Sequence, residues 1–239
     1  MEESNLLEKL CMFGLTRQEA NIYLCLYQSG ELTGYEVAKQ TGISRSNVYN
    51  ALSGLTDKGA AYLVEGNTSK YSAVLVDELC DNIIRNLEQE KKYLMQHIPD
   101  KKEQEVGYIT IEGFQNIMGK VVNMIRGASK RIYISAAGDI IELLEDELLQ
   151  VLDKKIKLVI LTDKAYVKKA NLEGGTCYLS TPRENNIRLI IDSTFALTGE
   201  LTGSKDDTCL YTGQKNFISV FKDTLRNEIK LIQLQGGKS

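Results

Sequence analysis

The sequence lacks the features of a secreted or membrane-spanning protein. No apolar run reaches the roughly 18 residues that a membrane span needs, and the first five residues are acidic, without the basic start of a secretory signal. The five cysteines are odd in number and form no C-x-x-C pair: Cys11, Cys25, Cys80, Cys177 and Cys209. Scattered thiols of this kind suit a reducing compartment. We therefore expect a soluble cytoplasmic protein with no membrane partner.

Histidine is nearly absent, which removes most side-chain catalysis. His97 is the only imidazole, so neither a histidine-dependent hydrolase nor a zinc site has its usual groups. The carboxylates between Glu142 and Glu147 have the spacing of an exposed helix face. We predict no catalytic residue, no metal and no cofactor. Cys177 and Cys209 could form a redox switch if they are adjacent in a sheet, although inert burial is favoured.

Net positive charge is also lacking. The chain has a formal charge of −3, and residues 1–76 carry six basic side chains against eight acidic ones. Phosphate contacts require cations at particular positions and do not depend on the sum of charges. A nucleic-acid surface on this chain must therefore be a local patch.

The first 76 residues show the pattern of a helix-turn-helix followed by a hairpin. Thr16–Glu19 and Thr33–Glu36 are capping boxes that start two helices, and Ser44 is a suitable N-cap for the next one. A glycine-containing turn separates the last two helices, as in a helix-turn-helix. Strand-like runs at 60–64 and 70–74 flank a turn-rich tip, and together they predict a wing.

These spaced residues are shared with a known family. They are Gly14-Leu15-Thr16, Glu19-Ala20, Tyr23, Leu26, the run from Gly42 to Tyr49, Leu52, Leu55 and Lys58-Gly59. Over roughly residues 5–76 the set resembles the winged-helix domain of the TrmB family of transcriptional regulators, and it is more specific than a bare helix-turn-helix. The resemblance implies a homodimer that binds double-stranded DNA, with a C-terminal domain for dimerisation and for an effector, often a sugar. Room for the additional sugar-binding domain of longer relatives is missing.

Helix-turn-helix geometry selects the side chains that would contact DNA. The polar start of the recognition helix would reach base edges with Ser44, Arg45, Ser46, Asn47 and Asn50. Arg45 could bind a guanine bidentately, and Asn47 or Asn50 an adenine. Candidate phosphate contacts are Tyr35, Lys39, Thr68 and Lys70. Taken singly, Ser44 is better explained as a cap and Arg45 as a solvated charge, whereas together with the wing and the turn they favour a DNA contact. Tyr49 is predicted to be a core residue because it follows Val48.

A linker follows the wing. Residues 77–98 contain no glycine or proline, which predicts a helix of about six turns ended by Pro99. Its interrupted apolar seam is Leu79, Ile83, Leu87, Leu94 and Ile98. The seam predicts either a short two-stranded coil or a helix packed on its own chain. A charged hinge at 101–105 separates domains at 1–76, 77–100 and 101–239.

Strand-like and helix-like runs alternate after the hinge, which predicts an α/β domain. Strands are expected at 106–111, 131–136, 157–161, 176–180, 187–191, 195–198 and 206–212. Helices are expected at 114–126, 139–153, around 164–171 and at 216–234.

The run from Ile187 to Gly199 resembles the core strand pair of the phospholipase D fold, and the resemblance covers most of residues 106–235. The catalytic motif of that fold is H-x-K-x-x-x-x-D. With Asp192 aligned to its aspartate, Asn185 and Ile187 stand where the histidine and the lysine belong. Histidine is the nucleophile of that chemistry, so the resemblance implies the fold without its activity.

The sequence therefore predicts an α+β multidomain protein: a winged helix-turn-helix, a helical linker and a phospholipase D-like domain. Its predicted function is that of a homodimeric, sequence-specific transcription regulator that responds to a small-molecule effector. If a pocket persists at the degenerate site, its polar lining would be Ser135, Asp163, Arg188, Asp192 and Thr198. The alternatives are a phosphodiester-cleaving enzyme, disfavoured without the H-x-K pair, and a winged-helix module that binds protein.

Overall fold

A computed structural model describes residues 2–66, 68–100, 107–163, 174–179 and 185–234. The chain divides into two compact units, Met1–Lys101 and Lys102–Ser239. The linker helix lies in the first unit. Among the residues described, no helix is both long enough and apolar enough to cross a membrane. The two-part α+β architecture predicted from the sequence is confirmed.

The first unit starts its helices at the predicted caps. The Thr16 hydroxyl accepts a hydrogen bond from the Glu19 amide at 3.2 Å, and the Glu19 carboxylate accepts one from the Thr16 amide at 2.6 Å. Thr33 and Glu36 repeat this arrangement. The helices of this unit are α1 (Glu2–Met12), α2 (Arg17–Ser29), α3 (Gly34–Thr41), α4 (Arg45–Asp57) and α5 (Val76–His97).

A two-stranded antiparallel hairpin follows α4, as predicted for a wing. Its strands are β1 (Ala61–Val64) and β2 (Lys70–Ala73). An isolated bridge between Leu32 and Tyr71 joins the hairpin to the segment before α3. One apolar core, which includes Tyr23, Leu26 and Leu52, holds the helices and the hairpin together.

The apolar seam of α5 is buried near the start of the helix and exposed towards its end. Leu79 is fully buried in the core of the first unit, and Ile83 packs against that core. Leu87, Leu94 and Ile98 are exposed. The seam therefore divides into a half that anchors the helix to the first unit and a half that the described residues of that unit leave exposed.

The second unit is built on one mixed seven-stranded sheet of order β3-β9-β8-β7-β4-β5-β6. Strands β4, β5 and β6 run parallel, and the remaining pairs are antiparallel. The strands are β3 (Tyr108–Glu112), β4 (Arg131–Ser135), β5 (Lys157–Thr162), β6 (Thr176–Leu179), β7 (Asn186–Ile191), β8 (Phe195–Glu200) and β9 (Thr208–Thr212).

Helices cover both faces of this sheet. On one face, α6 (Phe114–Arg126), α7 (Gly138–Leu143) and α8 (Glu145–Asp153) form an apolar core with residues such as Ile134 and Leu189. On the other face, the terminal helix α9 (Lys215–Leu234) packs Ile218, Leu225 and Ile232 against the sheet. Side chains alternate between the faces along each strand, so each strand contributes to both cores.

Two predicted elements differ in the structure. The helix expected at 139–153 is broken at Leu144, whose backbone has φ −107° and ψ 6°. Leu144 is fully buried, and three carboxylates in the first turn of α8 favour a helix start there. The strand expected from residue 206 begins at 208, because the Asp207 carboxylate accepts hydrogen bonds from the Thr202, Gly203 and Ser204 amides. The helix expected near 164–171 lies outside the described residues.

Candidate functional site

The start of α4 presents a polar, exposed surface. All nine side chains predicted to contact DNA are exposed, on α3, α4 and the wing: Tyr35, Lys39, Ser44, Arg45, Ser46, Asn47, Asn50, Thr68 and Lys70. The Arg45 guanidinium lies over the Tyr35 ring, 4.5 Å from its centroid. This cation–π contact orients the arginine at low cost in side-chain entropy. The Ser44 hydroxyl lies 3.5 Å from the Asn47 amide, which matches the cap role weighed for it.

Tyr49 is half-exposed, so its predicted place in the core is wrong. It follows the fully buried Val48, but one step along a helix turns the side chain by about 100°. A Cβ atom on Gly34 would lie only 2.6 Å from the Tyr49 ring. The ring therefore uses the space that glycine leaves at the start of α3, and it joins the two helices of the helix-turn-helix beside the predicted interface.

A partly buried ion pair links the end of α4 to α2. The Lys58 ammonium donates hydrogen bonds to the Glu19 carboxylate at 2.6 Å and to the Gly14 carbonyl at 2.9 Å. Burial alone would raise the pKa of Glu19, but the bonds from Lys58 and Thr16 outweigh it and lower the pKa. Gly54 is required on the facing side of α4, because a Cβ there would meet the Glu19 carboxylate at 2.3 Å. The angle of the recognition helix is thus set by charge as well as by apolar packing.

Charge on the interface is local, as the sequence requires. Lys39 and Lys70 are exposed, and Lys70 is near enough to Glu36 to favour its ionised form. The pKa of Glu36 is lowered mainly by its hydrogen bonds from the Thr33 backbone and hydroxyl. No carboxylate occurs within α4 before Asp57. Arg45 therefore acts on a surface free of acidic side chains from its own helix.

The degenerate motif positions of the second unit have structural roles. Ile187 is fully buried in the sheet core, and Asn185 has a positive φ of 40° at the start of β7. The Asp192 carboxylate accepts hydrogen bonds from the Ser129, Lys130 and Arg131 amides and from the Ser129 hydroxyl, all between 2.7 and 2.9 Å. This carboxylate closes the turn before β4. The Ile187 and Asn185 side chains offer no nucleophile, and the Asp192 carboxylate is held by these hydrogen bonds.

Four of the five predicted effector residues lie at one end of the sheet. Ser135 on β4 is in register with Arg188 on β7, which is in register with Thr198 on β8. Cross-strand partners point to the same face, so these three share the α9 face. Asp163 follows β5, and its carboxylate accepts a hydrogen bond from the Gly138 amide at 3.1 Å.

Asp192 is not part of that group. Its amide donates to the Arg131 carbonyl, at the opposite end of β4 from Ser135. Asp192 instead borders a separate cavity of about 250 Å³ together with Lys120 and Tyr211. A single pocket lined by all five residues is therefore excluded. Arg188 lies near the start of β7, and Asp192 follows its last residue, so the two side chains are at opposite ends of the sheet. Which of these ends carries Ser135 depends on the antiparallel pairing of β7 with β4, which the residue spacing alone did not indicate.

The buried Ser135 hydroxyl has no hydrogen-bond partner among the described residues. Arg188, its neighbour in register, reaches Glu228 of α9 at 3.4 Å. A buried polar group without a partner costs free energy. Ser135 and its neighbour Arg188 are therefore polar candidates for an effector at this end of the sheet, although Arg188 is paired with Glu228.

A known protein family matches the segment that carries the exposed polar surface of α4. The family described as "Sugar-specific transcriptional regulator TrmB" matches residues 10–77, a segment that contains the whole helix-turn-helix and wing. Residues 10–77 form a TrmB-family domain. The suspected family is thereby confirmed for the first unit.

The similarity of this chain to known proteins extends beyond this domain. The sugar-sensing transcriptional regulator TrmBL1 of Pyrococcus furiosus is 30% identical over 166 residues, which are 67% of this chain and 48% of that protein. The chain thus spans about half the length of that relative. The structure of TrmBL2, an archaeal chromatin protein, covers 96% of this chain and 99% of its own, with 22% identity and a TM-score of 0.47. Nuc of Salmonella typhimurium, a phospholipase D family member, covers 53% of this chain and 95% of its own, with 14% identity and a TM-score of 0.41.

The thiols of this chain do not form the redox pair considered from the sequence. Cys177 lies on β6 and Cys209 on β9, five strand positions apart in the sheet. At about 4.8 Å per strand the separation is roughly 24 Å, whereas a disulfide needs Cα atoms within about 7 Å. Burial raises the pKa of Cys177, and it raises the pKa of Cys209 to about 11.

Sequence reasoning missed a basic cavity in the second unit. A space of about 350 Å³ lies between α9 and the sheet and is bordered by Lys157, Lys222, Arg226 and Lys230. None of the five predicted effector residues lines it. The three α9 residues recur every four positions, which places them on one helix face. That spacing was the available signal.

Proposed function

We propose that this chain is a sequence-specific DNA-binding transcription regulator. The observation that carries the proposal is the exposed polar start of α4, with Arg45 lying over the Tyr35 ring, inside a TrmB-family domain. The Pyrococcus furiosus relative that carries the name of a transcriptional regulator supports the same function. The five free cysteines fit the reducing cytoplasm in which such a regulator would act.

The side chains divide into base readers and phosphate contacts. Arg45 presents a planar fork that matches the O6 and N7 acceptors of guanine, and the Asn47 and Asn50 amides match adenine. Lys39 and Lys70 stand on α3 and the wing, on either side of the recognition helix in the chain. They would position the domain on the phosphates without reading sequence.

We propose a homodimer formed through the second half of α5. Leu87, Leu94 and Ile98 follow each other at helical spacing and are exposed, with no cover from the described part of the first unit. The partner best suited to such a seam is the same seam of a second copy. Two winged helices would then read half-sites about one helical turn apart, roughly 34–36 Å.

The second unit would be a regulatory domain without enzymatic activity. Ile187 and Asn185 replace the lysine and the histidine on which phospholipase D-like cleavage depends. An effector near Ser135 and Arg188, with Asp163 and Thr198 at the same sheet end, would change DNA affinity only by binding one arrangement of the dimer more tightly than another.

The test is selection of genomic DNA fragments by the full chain at two salt concentrations. A regulator recovers an inverted repeat, and its affinity falls steeply with salt. The triple variant Arg45→Ala/Asn47→Ala/Asn50→Ala should lose the repeat while it keeps weak, salt-sensitive binding. Recovery of the same repeat by this variant would remove α4 from the interface. No enrichment by the wild type at either salt would favour the protein-binding alternative.

Light scattering tests the homodimer. The wild type should have twice the 26.8 kDa mass of the chain, and Leu87→Asp/Leu94→Asp should reduce it to one chain. The matched control is Gln89→Asp/Gln96→Asp, which adds the same charge to another face of α5. A monomeric wild type at micromolar concentration would refute the dimer.

A further inference from the structure

A cavity between α9 and the sheet carries a concentration of positive charge. Its volume is about 350 Å³, and four cationic side chains border it: Lys157, Lys222, Arg226 and Lys230. Lys157 starts β5, whereas the other three belong to α9. Cations from two elements therefore converge on one space, which a single solvated helix face would not produce.

The described part of the cavity wall lacks negative charge to balance these cations. Among the described residues that line the cavity, none is an aspartate or a glutamate. Arg226 pairs with Asp223 at 2.9 Å, and no carboxylate among the described residues lies within salt-bridge distance of Lys157, Lys222 or Lys230. Like charges four residues apart on a helix repel one another. An anion held in the cavity would remove this repulsion.

The rest of the wall is suited to an organic body and to neutral hydrogen bonds. Val159, Ile190 and Leu225 form an apolar floor, and the Tyr178 hydroxyl accepts a hydrogen bond from Gln233 at 3.3 Å at the rim. The volume falls within the range of about 300–1,000 Å³ that is usual for small-molecule sites. An extended nucleic-acid strand needs an open groove, so a compact ligand fits this space better.

We propose that this cavity binds a phosphorylated small molecule. The ammonium groups of Lys157, Lys222 and Lys230 would neutralise a phosphate dianion, and the Arg226 guanidinium offers paired donors for its oxygens. The apolar floor would take the organic part. The cavity is distinct from the sheet end at Ser135 and Arg188, since those residues do not line it.

The proposal that a phosphorylated small molecule binds here rests on the cavity alone. The proposal that this molecule acts as an effector rests on the proposed regulatory function. Because α9 crosses the sheet face that contains Ile190 and Tyr178, a bound dianion would fix the terminal helix on the sheet. DNA binding by the dimer would then depend on phosphate-ligand concentration. The two claims can fail separately.

Isothermal titration calorimetry of the full chain without DNA tests the site. The probes are phenyl phosphate, inorganic phosphate and phenol, in chloride buffer at constant ionic strength. Phenyl phosphate should bind one site per chain, more tightly than inorganic phosphate, and phenol should give no saturable binding. The variant Lys222→Gln/Lys230→Gln should weaken phenyl phosphate at least about tenfold. The control Lys215→Gln removes an exposed lysine of the same helix that does not line the cavity, and it should leave binding unchanged.

Three results would overturn the proposal: no saturable binding of phenyl phosphate, equal weakening by Lys215→Gln, or binding unaffected by the double variant. Circular dichroism of each variant separates loss of binding from loss of fold. If the wild type shows no binding of phenyl phosphate and the double variant weakens DNA binding in phosphate-free buffer, the cations belong to a DNA contact. If the chain binds phenyl phosphate but selects no DNA, the proposed phosphate site stands and the proposed function as a regulator is rejected.

Discussion

The two units differ in the exposure and the bonding of the residues at their sequence-motif positions. In the first unit, the residues that the motif predicts to be functional are exposed: Arg45, Asn47 and Asn50 project from the start of α4. In the second unit, two of the three residues at the positions expected for the catalytic motif have structural roles instead. Ile187 is a buried core residue, and the Asp192 carboxylate is occupied by four hydrogen bonds from residues 129–131.

This difference separates sequence patterns that indicate a fold from sequence patterns that indicate a binding surface. A strand pair such as β7 and β8 is maintained by packing and register, so its presence indicates a fold and no particular chemistry. A recognition helix has no comparable internal reason to keep an arginine and two amides on its exposed surface. Exposed polar residues at a motif position therefore favour function more strongly than buried ones, and each unit can be tested for this separately.

The largest effect is expected at Gly199, inside the strand pair that resembles the phospholipase D fold. A Cβ there would lie 2.4 Å from the Thr208 carbonyl oxygen and 2.6 Å from the Cys209 Cα. Backbone atoms cannot yield as a side chain can, so Gly199→Ala should lower the free energy of unfolding by about 3 kcal/mol or more. Urea unfolding measures it. The control Gly119→Ala lies on the exposed face of α6 with no atom near the new Cβ, and it should stabilise slightly. Equal values would show that β8 and β9 are not in close register.

The next effect concerns the first unit. Arg45→Ala should weaken binding to the selected operator by about 1–3 kcal/mol, and it should relax the preference at one base pair. Fluorescence anisotropy with the operator and a scrambled duplex of equal length measures both. Arg85→Ala removes the same charge from α5 and should change the two affinities equally and little. A uniform loss on both duplexes for Arg45→Ala would make it a phosphate contact and not a base reader.

A smaller effect, dependent on pH, is expected at Asp192. Burial alone would raise the pKa of this carboxyl, but hydrogen bonds from Arg131, Ser129 and Lys130 outweigh it and lower the pKa from 3.8 to about 2. Because the folded-state pKa lies below the ordinary value, the stabilisation is complete above about pH 4 and is lost as the pH falls through about 2.

Asp192→Asn should therefore cost about 1–2 kcal/mol at pH 7, a value reduced for solvent screening, and should flatten the acid side of the stability curve. Asparagine tolerates the positive φ of 53° at this position, so the loss reports the carboxylate and not backbone strain. Thermal unfolding between pH 2 and 7 measures it against Asp153→Asn, an exposed control on α8. Parallel curves for the wild type and Asp192→Asn would refute the assigned role.

The sequence was sufficient for features set by near neighbours. The capping boxes at Thr16 and Thr33 depend on residues three positions apart, so their helix starts were predicted and confirmed. The break at Leu144 was not, because it depends on a side chain buried by tertiary packing. Tyr49 was placed wrongly for a similar reason: its environment is decided by Gly34 on another helix.

The same contrast between local and tertiary features applies to the site residues. Exposure of the DNA-contact candidates could be read from helix position, since one face of α4 must be buried. Whether Asp192 and Ser135 share a pocket depends on strand order and direction, which a single sequence does not specify. Lys222, Arg226 and Lys230 had a visible periodicity, but the contribution of Lys157 required knowledge that β5 lies beside α9.

The smallest effect is expected from oxidation. Cys177 and Cys209 are five strands apart, and burial raises the pKa of both thiols, that of Cys209 to about 11. Very little thiolate is present at pH 7, and thiolate is the reactive form. Diamide should therefore produce no intrachain disulfide and no change in DNA affinity, as measured by intact mass and anisotropy. Iodoacetamide should label Cys209 last in the folded chain, with urea-unfolded protein as the control for intrinsic reactivity. A Cys177–Cys209 disulfide in folded monomer would contradict the strand order itself, and with it the placement of every predicted effector residue.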